Sequence, residues 1–142
     1  MSTSTIQQQR SGKKTAARAL LSATVIGTLF LCWATFVNWQ HGTHAAILAG
    51  MGQGGVSFVM SMSMAFMLEF LFFLPSNKLV RIPFAVVVTM LVVTALTTLV
   101  HLIIGTPEII KTMVLPILMG IGYTTLYCLR LSRMYAGTST AD

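Results

Sequence analysis

Residues 45–74 read AAILAGMGQGGVSFVMSMSMAFMLEFLFFL, thirty positions holding a single charged side chain, Glu69, before Pro75 closes the run. About 20 apolar residues in a helix suffice to cross a hydrocarbon core roughly 30 Å thick. A soluble helix would carry charged side chains along such a length, and this one carries only Glu69. The stretch therefore reads as a membrane-spanning helix, and it sets the frame for the rest of the chain.

Three further runs of the same kind flank it, so the expected spans are 19–40, 44–74, 82–104 and 107–133. The chain of 142 residues is 55% hydrophobic and only 8% charged, against roughly 25% charged residues in an ordinary soluble domain. That balance excludes a water-soluble domain. It predicts an all-α integral membrane protein, a bundle of four transmembrane helices arranged as two helical hairpins, with a domain over 19–135. A basic tail over 1–18, expected to be disordered in water or to lie along anionic headgroups, precedes it, and a short polar tail over 136–142 follows.

The distribution of basic residues orients the bundle. Of nine Lys and Arg, Arg10, Lys13, Lys14 and Arg18 precede the first run. Lys78 and Arg81 lie between the second and third, and Arg130 and Arg133 end the fourth. Only Lys111 falls on the other side, one turn from Glu108. Short loops rich in Lys and Arg stay cytoplasmic, which places both chain ends inside. The net charge of +6 is thus explained by topology, and no nucleic-acid partner is expected. The first apolar run exceeds the 7 to 15 residues of a cleaved leader and reads as an uncleaved anchor.

Local signals mark the connections. Gly42-Thr43 and Gly105-Thr106 each pair a helix-ending glycine with a threonine suited to capping the next helix, Pro107 and Glu108 strengthen the second start, and Pro83 sits where the third helix is expected to begin. The two turns are 63 residues apart, an offset that also sets Asn38 against His101 and Gln53 against Pro116. A duplicated two-helix unit, a 2+2 repeat, is one reading of this; chance similarity of helical hairpins is the other.

The second run is too long for a straight span, and Gly50, Gly52, Gly54 and Gly55 are the expected place for it to break. Matched to Pro116 in the fourth run, this gives two interrupted helices, the pattern of a transporter binding site. Gln53, Ser57 and Ser61, four residues apart on one helix face, would line a substrate path with the Pro116 region. Glu69 would serve as its proton or cation group. Each residue also has a plainer reading: Gly50-x-x-x-Gly54 as a helix-packing face, the serines as interhelical hydrogen bonds, Glu69 as an interfacial partner of Lys78 or Arg81.

His41, His44, His101 and Glu108 all fall at the outer helix ends and would make an outer-face metal or redox module if they converged. They lack the spacing of a specific zinc motif. Met60, Met64 and Met67 form a helical stripe suited to packing or, less simply, to Cu(I). Cys32 and Cys128 differ in depth by roughly 20 Å and are expected to be unpaired and buried.

No catalytic constellation is present, so no enzyme activity and no cofactor are expected. The leading expectation is a small protein of a bacterial cytoplasmic membrane that transports or translocates a small molecule or lipid-linked substrate as a homo-oligomer. Alternatives are an accessory subunit of a larger membrane complex, and the histidine module. Membrane lipid, a second copy or other membrane proteins are the expected partners.

Overall fold

The computed structural model describes the backbone of residues 3–138 and the side chains of residues 17–135. Among these residues the chain is all helical: α1 is Thr3–Asn38, a short 3-10 turn spans Trp39–His41, α2 is Thr43–Phe73, α3 is Lys78–Ile103 and α4 is Ile109–Thr138. Four segments, Ala17–His41, Thr43–Phe73, Lys78–Ile103 and Ile109–Tyr135, are long and apolar enough to cross a membrane. At most 28% of the most apolar window of any of them is buried. Their large hydrophobic side chains point mainly outward, an arrangement costly in water and natural in lipid, which points to a multi-pass membrane protein.

The helices follow one another around the bundle. α1 packs most extensively on α2, α2 on α3 and α3 on α4, while α4 closes the ring against α1 and touches α2 across it. Two glycines permit the closest approach. A Cβ on Gly54 would lie 2.9 Å from Leu31 Cβ and 3.0 Å from Gly27 O, and one on Gly50 would overlap Thr35 Oγ1. As residue numbers rise along α2 they fall along α1, so the pair runs antiparallel. Ala23, Gly27 and Ala34 supply the matching small face on α1.

Helix α2 is therefore continuous through Gly50–Gly55, and the expected break is corrected. The glycines lower intrinsic helix propensity, but the backbone contact they allow with α1 holds the segment helical. At 1.5 Å per residue its 31 residues extend roughly 46 Å. The excess length is taken up without unwinding.

Other boundaries shift for identifiable reasons. α3 begins at Lys78, not 82, because Asn77 Oδ1 accepts a hydrogen bond from Leu79 N at 3.0 Å. Lys78 and Arg81 thus lie on α3 rather than in a loop, and Pro83 lies inside the helix. α1 extends back to Thr3, so helical backbone runs through the segment expected to be a disordered tail, although its side chains through residue 16 lie outside the described residues. Residues 139–142 of the expected C-terminal tail lie outside them too.

At the end of the bundle where α2 gives way to α3, Leu68, Leu71, Phe72, Ala85, Cys128 and Leu131 form the main buried apolar cluster, with Met64, Met67 and Tyr127 packed on it. Two of the three stripe methionines are thus core filling. Both cysteines are free, Cys128 buried as expected and Cys32 exposed, contrary to expectation.

Candidate functional site

The bundle carries two polar regions at opposite ends. The first lies beside the Gly42 and Gly105 turns. Gly105, at φ 68°, ends α3, and it does so with Thr106 N bonded to His101 O at 2.9 Å and Gly105 N to Leu102 O at 3.3 Å. These paired bonds form the glycine-terminated helix stop in which two backbone N–H groups turn back onto the last carbonyls. The turn brings the Thr106 hydroxyl to His101.

His101 is fully buried and uses both ring nitrogens: Nδ1 lies 2.7 Å from Thr106 Oγ1 and Nε2 lies 2.7 Å from Gln53 Oε1. The Gln53 amide in turn donates to Ser57 Oγ at 3.0 Å. An amide oxygen only accepts, so the consistent proton arrangement is the neutral imidazole with hydrogen on Nε2, its Nδ1 accepting from Thr106. Gln53 thus joins α2 to α3, and Ser57 is bonded to it from within α2. Ser61 is only partly buried one turn further along.

Asn38 makes the corresponding join between α1 and α4. Its Nδ2 donates to Ala34 O and to Thr112 Oγ1, both at 2.9 Å, and its Oδ1 accepts from Glu108 N at 3.0 Å. The backbone amide of Glu108, immediately before α4, is thereby held from another helix. Thr106, the expected cap, is committed to His101, and α4 begins at Ile109, two residues past the predicted start. Thr43 likewise makes no side-chain cap and is simply the first residue of α2.

Pro116 is not an interruption either. α4 remains helical through it; the missing N–H leaves Thr112 O, four residues earlier, without its helical donor. The Trp33 indole Nε1 supplies that hydrogen, 3.2 Å from Thr112 O and 3.3 Å from Lys111 O. Pro116 therefore creates an interhelical hydrogen bond, and the polar lining expected of it is already filled.

The outer-face metal set is not assembled. His101 is internal and both its nitrogens have partners, while His44 is exposed. Among the described residues no group of three or more His, Cys, Asp or Glu could hold a metal ion. What does form is an exposed bridge in which Glu108 Oε1 lies 3.1 Å from Lys111 Nζ and 3.3 Å from His41 Nε2. Lys111 first, then His41, hold the Glu108 carboxyl below its ordinary range.

The second polar region differs in kind. Glu69 is exposed near the α2 end, and Tyr127 of α4 donates its hydroxyl to Glu69 Oε1 at 2.7 Å. The expected partners do other work: Arg81 Nε donates to Pro75 O at 3.0 Å, and its guanidinium lies 6.0 Å from the Phe72 ring and 5.9 Å from the Phe73 ring. Among the described residues no ion pair reaches Glu69. Instead the carboxylate stands in a shallow, wide-open surface hollow lined by Phe66, Glu69, Phe70, Phe73 and Leu74.

Sequence reasoning located Glu69 but missed Tyr127 as its partner, and missed the Trp33–Pro116 and Asn38–Thr112 pairs altogether. Asn38, an amide near the end of an apolar run, was the only signal of these pairs in the sequence. The pairing of an indole with a proline-orphaned carbonyl 79 positions away had no such signal. Neither family models, curated proteins nor solved structures yield a match to this chain, so residue chemistry alone carries the functional reading.

Proposed function

We propose that this chain is a non-enzymatic, multi-pass protein of a bacterial cytoplasmic membrane, both ends inside, that carries a small molecule across or within the bilayer, with Glu69 as its binding group. The observation behind this reading is the open hollow at Glu69. An ionisable side chain within an apolar span is costly and is held by function unless it is paired in a dry structural contact. Among the described residues Glu69 has a single neutral partner, Tyr127, and an apolar surround. Four helices enclose little space of their own, so the open side of the hollow is completed by a second copy, making the working unit a homo-oligomer.

The original path through Gln53, Ser57, Ser61 and Pro116 is set aside in favour of Glu69, because the hydrogen bonds of Gln53, Ser57 and Pro116's carbonyl partner are spent inside the chain. The same polar joins favour a two-helix duplication. Asn38 and His101 occupy matching positions, both fully buried, and each reaches the neighbouring pair, Asn38 to α4 and His101 to α2. Copies of two helices would be related by an axis along the membrane normal.

The test is flux through purified protein in sealed vesicles containing a pH-sensitive dye. Under an imposed proton gradient the native chain should dissipate the gradient faster than empty vesicles, and Glu69→Gln should not. Equal rates for the two forms would refute the reading.

A second reading, an accessory subunit of a larger membrane complex, is favoured by the bare apolar surface around the same site, where Phe66 is 78% and Phe70 68% exposed. It predicts a stoichiometric membrane partner on mild solubilisation and no flux by the isolated chain.

A further inference from the structure

Resting on that reading, we infer that the Glu69 hollow takes a hydrophobic organic cation bearing few or no N–H groups: a quaternary or tertiary ammonium, or a delocalised aromatic cation. The argument begins from the number of oxygens the hollow offers. A Ca²⁺ or Mg²⁺ ion requires about six or more oxygen ligands. The walls here supply one carboxylate, with the rest phenyl and aliphatic carbon. A primary ammonium brings three donors, and one carboxylate among rings leaves donors unanswered in a medium where each unanswered polar group is costly.

A cation without donors asks only for negative charge and polarisable faces. Phe66, Phe70 and Phe73 recur at intervals of four and three along α2, so their rings stand on the same side of the helix as Glu69. Their faces carry the negative quadrupole that attracts a cation within about 6 Å. The Phe73 ring already carries such a cation, the Arg81 guanidinium at 5.9 Å, so Phe66 and Phe70 are the rings left for a guest. The Tyr127 hydroxyl donates to Oε1, which stabilises the ionised carboxylate such a guest requires.

The probe is tetraphenylphosphonium, with tetraphenylborate as a control of the same shape and opposite charge. Binding is measured by equilibrium dialysis on the detergent-solubilised full chain, with flux in vesicles as a second readout. The cation should bind and the anion should not. Glu69→Gln should weaken cation binding by about tenfold or more. Phe70→Leu keeps apolar bulk at a position 68% exposed, removes one ring face, and should weaken binding about threefold to fivefold.

Equal binding of both probes, or equal cation binding by the native chain and Glu69→Gln, overturns the inference as mere apolar adsorption. Glu69-dependent proton flux without cation binding leaves the transport reading standing and sinks the substrate class. Glu69-dependent cation binding without flux supports the substrate class and sinks transport.

Discussion

At the turn end of the bundle the buried polar groups described above find their complements inside the same chain, whereas at the α2–α3 end a carboxylate stands on an open apolar surface with one tyrosine, among the described residues, to hold it. Asn38, His101, Gln53, Thr106 and Thr112 are buried and mutually bonded; Glu69 is exposed among exposed rings. The difference separates polar residues that build the fold from one that the fold does not need. In hydrocarbon the first kind are costly unless complete, and they are complete.

This contrast can be broken at several points. The largest effect is expected at the seam that brings the helices together: Gly54→Leu drives a side chain into Leu31 and the Gly27 carbonyl and should cost about 3 kcal/mol, read as a fall in the detergent unfolding midpoint. Asn38→Ala strips the acceptor from Glu108 N and a donor from Thr112 and should cost about 2 kcal/mol by the same measurement. Membrane-embedded hydrogen bonds that average about 0.6 kcal/mol set the lower bound.

Trp33→Phe should cost about 1 kcal/mol alone by orphaning the Thr112 carbonyl, and much less in a Pro116→Ala background, where residue 116 regains its own N–H. Additive losses in that double-mutant cycle would show that the indole bond does not answer the proline. Glu69→Gln should leave stability within about 0.5 kcal/mol while removing flux. A destabilised variant would move Glu69 into the structural class and erase the comparison.

The smallest effect concerns pH. Because Glu108 is held below its ordinary value of 4.5, its bridge contributes stability above that pH and loses it as pH falls through the lowered value. The acid limb of a stability profile should be slightly steeper for the native chain than for Glu108→Gln.

Much of the architecture was readable before any coordinates. Four apolar runs, Pro75 and the two glycine turns follow from segment length and backbone chemistry, which are local. The misreadings share one cause. The glycines of α2 and Pro116 of α4 were read as weaknesses of their own helices, while the compensation came from α1, through Leu31, Thr35 and Trp33. Thr106 has the composition of a cap and performs another task because His101 lies within reach. Glu69 stood out in the sequence because a lone carboxylate in an apolar run needs no partner to be noticed; its hollow depended on which rings flank it and on Tyr127 arriving from α4.

The hold that α1 takes on the start of α4 has a consequence for assembly. The amide that leads into the last helix, Glu108 N, is held by a side chain made about 70 residues earlier in synthesis. Until the final segment arrives, Asn38 can hold only the Ala34 carbonyl of its own helix; its other two bonds wait for residues 108 and 112. Closure of the ring thus joins its first and last helices, and a chain cut short before residue 108 would leave the Asn38 side-chain carbonyl oxygen without the Glu108 amide it accepts from.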